Sequence, residues 1–196
     1  MPRSGAEARD RLEQAALELY VERGFDQTTT AEIAARAGVT ERTFFRHFAD
    51  KREVLFAIEG HQQETLARAF ADVPDTVPPV AAVLRAFRSM APDMEANRSL
   101  AEARHRVIAA SPALRERNLA KAAALSDVVA DSLRARGLSD WRATLLAQVT
   151  TAALGHVVHT WVADPSCDMD ALLVRTFAEL RELADLQTPS PPVARP

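Results

Sequence analysis

The stretch that decides the fold is Thr29-Thr30-Ala31-Glu32-Ile33-Ala34-Ala35-Arg36-Ala37-Gly38-Val39-Thr40-Glu41-Arg42-Thr43-Phe44-Phe45-Arg46-His47-Phe48. Thr29 followed three residues later by Glu32 has the form of a capping box, in which the two side chains satisfy backbone donors left free at a helix start. Ile33, Ala34 and Ala37 then give a short helix its buried stripe. Gly38 can adopt the positive φ of a tight turn. Thr40 offers a second N-cap, and Phe44 and Phe48 lie one turn apart on one face of the next helix. Ala34 is small where two helices approach closely, and Val39 plugs the corner between them. Two capped short helices joined by a glycine turn make a helix-turn-helix.

Upstream, Leu12, Ala15, Ala16, Leu19 and Tyr20 recur at helical spacing, and Gly24-Phe25 ends that helix with an apolar contact back onto its last turn. Downstream, Asp50-Lys51-Arg52-Glu53 starts another helix, which is expected to run past Phe70 until Pro74, Pro78 and Pro79 break it. Further helices are expected at about Val80 to Met90 and Glu95 to Ala110. Another enters through Ser111-Pro112 and closes at Gly137, one runs from Ser139 to about Ala163, and a last one carries Leu172, Phe177 and Leu180. About a fifth of the 196 residues are Ala and only 6% are aromatic, which favours helix over strand. The fold class is therefore all-α, with about nine helices. Residues 6–60 form a first domain containing the helix-turn-helix at 29–48, and residues 61–187 form a helical bundle. Residues 188–196 are a Pro-rich tail expected to be disordered.

With Phe44 and Phe48 assigned to the core, Arg42, Thr43, Phe45, Arg46 and His47 point outward, on a face that a DNA major groove would accept. The bland alternative is a pair of solvated arginines on an amphipathic helix. Local charge favours the groove. The chain carries a net charge of -3, yet between Arg36 and Arg52 five basic residues stand against two acidic ones, a local +3. The rest of the chain then holds -6, so positive charge is concentrated where phosphates would lie. Lys51 and Arg52 also open a helix, whose free N–H groups and macrodipole favour an anion.

The run from Thr30 through Gly38-Val39-Thr40 and Phe44-Phe45-Arg46-His47-Phe48 to Lys51, Val54 and Leu55 resembles the TetR family of transcriptional regulators over about the first 60 residues. The resemblance implies DNA contacts from Thr30, Thr43, Phe45, His47 and Lys51. Arg42 and Arg46 join them on chemical grounds, and Thr40 is better explained as a cap. The sequence departs from the family at two positions: Arg42 stands where Gly is frequent, and Phe45 where a Tyr often contacts the phosphate backbone. Phe45 cannot donate that hydroxyl hydrogen bond. Arg42 compensates through a phosphate or guanine, both of which suit a guanidinium.

Beyond about Ala71 no sharp motif remains. The resemblance implies a homodimer that packs its last two long helices against their symmetry mates, and a small-molecule effector in the second domain. Ala143 to Ala163 is apolar on most faces and must be covered on both sides. Ala152, Ala153 and Gly155 would let a partner helix approach, with Leu172, Phe177 and Leu180 beside them. The alternative is a central helix buried within one subunit. Gln148, four Thr, His156 and His159 argue against a membrane span there. Candidate pocket residues are Phe87, Met90, Arg104, His105, Trp141, His156 and Trp161, which combine bulky apolar walls with polar anchors. His156 and His159 share a helix face but have no third metal ligand at supporting spacing, so no metal and no cofactor are expected.

A lone Cys167 and an N-terminus without the apolar core of a signal peptide place the chain in the reducing cytoplasm, with Cys167 a small packed side chain. No Gly-rich phosphate loop, nucleophile elbow or His-Glu-x-x-His motif is present, which excludes the common enzyme classes. The expectation is a cytoplasmic dimeric regulator, a repressor, that binds a pseudo-palindromic double-stranded operator and is released by an effector. The competing class is a helical-bundle enzyme or carrier in which the helix-turn-helix only packs.

Overall fold

The computed structural model describes residues 3–184 as helices joined by short turns, with no strand among the described residues. In chain order these are α1 (Arg3–Arg23), α2 (Thr30–Arg36), α3 (Glu41–His47), α4 (Lys51–Ala71), α5 (Pro79–Ala96), α6 (Arg98–Ala110), α7 (Pro112–Ala135), α8 (Asp140–Ala163) and α9 (Met169–Ala184). The tail at 188–196 lies outside the described residues.

Two cores organise the helices. Leu12, Leu19, Ile33, Phe44 and Phe56 centre the first, which α6 and α7 join through Val107 and Leu114. Leu66, Phe87, Leu133, Trp161 and Leu173 centre the second. α4 belongs to both, because its first turns carry Val54 to Phe56 and its last turns carry Leu66 and Phe70. One continuous helix therefore connects the helix-turn-helix to the bundle.

The local signals appear as local geometry. Thr29 and Glu32 close the capping box, Thr40 accepts from Thr43 N–H, and Asp50 accepts from the N–H groups of Arg52 and Glu53. Gly24, Gly38 and Gly137 all have positive φ, as helix-ending turns require. Glu53, at the third position of α4, pairs with Arg117 of α7. Ser111 and Ser139 occupy N-cap positions without a side-chain capping bond.

Two expectations change. α5 runs on to Ala96 with Pro92 inside it, so Glu95 ends one helix instead of opening the next. Its carboxylate accepts from Trp161 Nε1 at 2.7 Å and from Met169 N–H at 2.8 Å, beside Arg98. The second concerns α8, which is not a central helix buried within one subunit. Ala143, Ala147, Thr150, Ala153, Val157 and Trp161 form one buried stripe, while Leu145, Val149, Ala152 and His156 are exposed on other faces. The hydroxyl of Thr150 is satisfied inside the helix by Leu146 O at 2.7 Å. No helix among the described residues is long and apolar enough to cross a membrane.

Candidate nucleic-acid interface

α3 is held by its buried face and its cap. Phe44 is fully buried, Phe48 closes the helix end, and the hydroxyls of Thr40 and Thr43 lie 3.0 Å apart at the first turn. With that face fixed, Arg42, Phe45 and Arg46 are exposed together, and Thr43 and His47 are half-buried at the edges. Phe45 keeps 54% of its surface exposed, with its ring edge-on to Phe44 at 5.3 Å between centroids and 82° between planes.

The cations around this face divide into two groups. Arg23 pairs with Glu32, Arg36 with Glu22 and Glu18, and Arg52 with Asp50. Hydrogen bonds from Arg36 hold the Glu22 carboxyl below its ordinary range. Arg42 and Arg46 enter none of the ion pairs among the described residues, so their guanidinium groups stay available to an incoming anion.

Two expected contact residues have other partners. Thr30 donates its hydroxyl to Glu41 Oε1 at 2.6 Å, which staples α2 to the first turn of α3. Lys51 turns inward. Its ammonium lies 2.8 Å from Phe25 O, 2.9 Å from Thr28 O and 3.4 Å from Asp26 O, and 4.4 Å from the Phe25 ring centroid. The peptide carbonyl of Lys51 accepts from Tyr20 Oη at 2.5 Å. An ammonium has three donors, and here all three meet carbonyls of the loop that ends α1. Lys51 therefore holds that loop in the free protein.

His47 is the third special case. Its buried Nε2 has no hydrogen-bond partner among the described residues. Burial first, then the nearby Arg46 and Arg9, hold its imidazole below the usual histidine range. Behind it lies a polar cleft between Arg9, Asp50, Arg52 and Arg117, where the Glu53–Arg117 pair ties α7 to the first turn of α4. That tie crosses 64 positions of sequence, and no local pattern signals it.

A cavity of about 310 Å³ opens between α4, α5 and α6. Of the seven pocket candidates it brings together Met90 and Arg104, and adds Gln62, Thr65, Asp93 and Met94, which the sequence reading missed. The Arg104 guanidinium lies 5.3 Å from the Phe56 ring centroid, and burial pulls its pKa down to about 10. The other five candidates sit elsewhere. Phe87 and Trp161 fill the second core, where their bulk serves packing. His105 faces His159 at 5.4 Å. Trp141 is 72% exposed in the first turn of α8, and His156 is exposed further along it. No group of three metal-ligating side chains occurs among the described residues.

Of the interface candidates, Ala152 and Gly155 are exposed, and Leu172 and Leu180 are half-buried. Ala153 and Phe177 are buried within their own chain. Leu145, Val149 and Val174 are large, exposed and apolar on the same two helices and were not among the candidates.

Comparison with known proteins matches residues 13–58 to the model described as "Bacterial regulatory proteins, tetR family" and residues 77–184 to the one described as "MftR C-terminal domain". The HTH-type transcriptional regulator TcmR of Streptomyces glaucescens is 30% identical over 185 residues, which cover 89% of this chain and 82% of TcmR. Among solved structures, SmeT of Stenotrophomonas maltophilia in complex with triclosan superposes with a TM-score of 0.64 at 24% identity, covering 88% of this chain and 90% of that one. Thermus thermophilus FadR, a TetR-family repressor in complex with lauroyl-CoA, gives a TM-score of 0.58 at 24% identity, covering 96% and 100%. At these identities the structural matches establish the fold.

Proposed function

Since the chain belongs to the TetR family of helix-turn-helix transcriptional regulators, we propose that it is a dimeric cytoplasmic repressor, released from a pseudo-palindromic operator by a small molecule. The single observation that carries the reading is α3, whose exposed face presents Arg42 and Arg46 outside every described ion pair, on a helix pinned by Phe44 and the Thr40 cap. Residues 6–60 read the DNA and residues 61–187 bind the effector and the second subunit.

Dimerisation is supported by the exposed apolar side chains of α8 and α9. Leu145, Val149 and Val174 are costly in water and would be covered by a symmetry mate. Two copies then present two α3 helices to successive major-groove faces, about 34 to 36 Å apart or at a multiple of that spacing. The effector reading is supported by the cavity, whose walls combine Met90 and Met94 with the polar Gln62, Thr65 and Asp93. A ligand there releases DNA only if it binds the DNA-incompetent arrangement more tightly. Arg104 stands between the two sites, because it lines the cavity and lies against Phe56, a member of the first core.

Selection of bound duplexes from a random pool tests the reading. An inverted repeat should be enriched, and its loss on adding an effector should track binding to the cavity. A pool that remains unenriched contradicts it.

A further inference from the structure

Phe45 is the feature that the reading of α3 as a DNA-binding helix leaves over. Its ring is more than half exposed, yet it is held in one direction. Phe44 is fully buried in the core, and Phe45 packs edge-on against it. The ring carries no polar atom, so it cannot hold a phosphate. It sits among the outward positions Arg42, Phe45 and Arg46, which share one face at helical spacing.

We propose that Phe45 is a base reader, whose ring covers the C5 methyl of a thymine in the major groove, one or two base pairs from the base read by Arg42. The inference rests on the assignment of α3 as the DNA-reading helix. The thymine methyl is the apolar group that the four bases present on the major-groove edge. The remaining recognition groups on that edge are donors or acceptors, and an apolar ring pressed on one would strip its water without replacing the hydrogen bond, while the C5–H of cytosine offers the ring less apolar surface than the thymine methyl. Position 45 thus discriminates for thymine by attraction and against other bases by desolvation. Arg42 lies three residues earlier, about 4.5 Å along the helix axis. Successive base pairs rise about 3.4 Å, so the two side chains address neighbouring or next-neighbouring steps. Arg42 pairs best with guanine O6 and N7. A half-site with a guanine and a thymine within two steps of each other is the expected recognition element.

The test uses the full chain and the duplex enriched from the random pool. Each thymine of one half-site is replaced in turn by deoxyuridine, which removes the methyl alone, and affinity is followed by fluorescence anisotropy. One position should weaken binding by about threefold to fivefold. In Phe45→Ala the same replacement should cost nothing. The exposed ring makes Phe45→Ala compatible with folding, and an unchanged melting temperature verifies it. Uracil tolerated at every position by the wild-type chain, or a penalty that persists in Phe45→Ala, overturns the inference while leaving DNA reading by α3 intact. Failure to enrich any duplex overturns the DNA-reading assignment, and the inference falls with it.

Discussion

In the proposed reading Arg42 and Arg46 carry the recognition chemistry, while Thr30 holds the α2–α3 corner and Lys51 the loop after α1. Replacing Arg42 or Arg46 by Ala should cost roughly 1 to 3 kcal/mol of operator binding if each meets a base, and should relax selection at one operator position. Competition between single-base operator variants checks this. Lys51→Ala should act differently. Its ammonium bonds to Phe25 O and Thr28 O, so its loss should lower folding stability by about 2 kcal/mol in urea denaturation. A folded Lys51→Ala chain of unchanged stability would show that those bonds are not what fixes the loop. The role of Lys51 was illegible in the sequence because its partners are backbone carbonyls 23 and 26 positions away, and carbonyls leave no trace in side-chain chemistry. Phe44, by contrast, was legible as the anchor of α3 because its spacing to Phe48 and the Thr40 cap are both local signals.

At the scale of elements, the α2–turn–α3 unit turns on Gly38, whose φ of 67° lies in the left-handed region. A Cβ there would meet only Arg11 Nη1 at 3.7 Å, an ordinary contact, so the cost of Gly38→Ala is backbone strain of about 1 to 2 kcal/mol. Thermal melting should register that loss. The α5–α6 corner works through side chains instead. Arg98 donates to Trp161 O at 2.9 Å and lies 4.3 Å from the Trp161 ring centroid, while Glu95 accepts from the indole. Replacing Glu95 by Ala leaves the fully buried indole N–H without its acceptor and Arg98 without its carboxylate. The expected destabilisation is about 2 to 4 kcal/mol, read by denaturant unfolding. Helix existence and the caps at Thr29, Thr40 and Asp50 were legible in the sequence because they depend on neighbours within four residues. The cavity was not, because it is set by how α4, α5 and α6 cross. Trp161 therefore read as a pocket wall when it is a core residue, and Gln62 read as nothing in particular.

For the whole molecule, two histidines make stability fall as pH drops just below neutrality. Burial first, then His159 and Arg104, hold His105 below the usual histidine range, and burial with Arg46 and Arg9 does the same for His47. Both bind protons less readily folded than unfolded, so their contribution is complete above pH 6.5 and is lost as pH falls from there towards their lowered values. Melting temperature should decline across that window, and His105→Gln should flatten part of the decline. A melting temperature constant from pH 7 to below the histidine range would contradict this. The overall charge of -3 conceals a local +3 between Arg36 and Arg52, but Arg36 and Arg52 are paired and Lys51 turns inward, so only Arg42 and Arg46 of that segment's cations lie outside the described ion pairs. The measurement that tests the central claim most directly is the salt dependence of binding to the enriched duplex, compared between the wild type and the Arg42→Ala/Arg46→Ala double variant. The wild type should lose affinity steeply and linearly in log[salt], and the double variant should bind more weakly with selectivity for the enriched sequence largely gone. Salt-independent binding by the wild type, or a double variant that binds the enriched duplex as tightly and selectively as the wild type, would contradict the assignment of α3 as the reading helix.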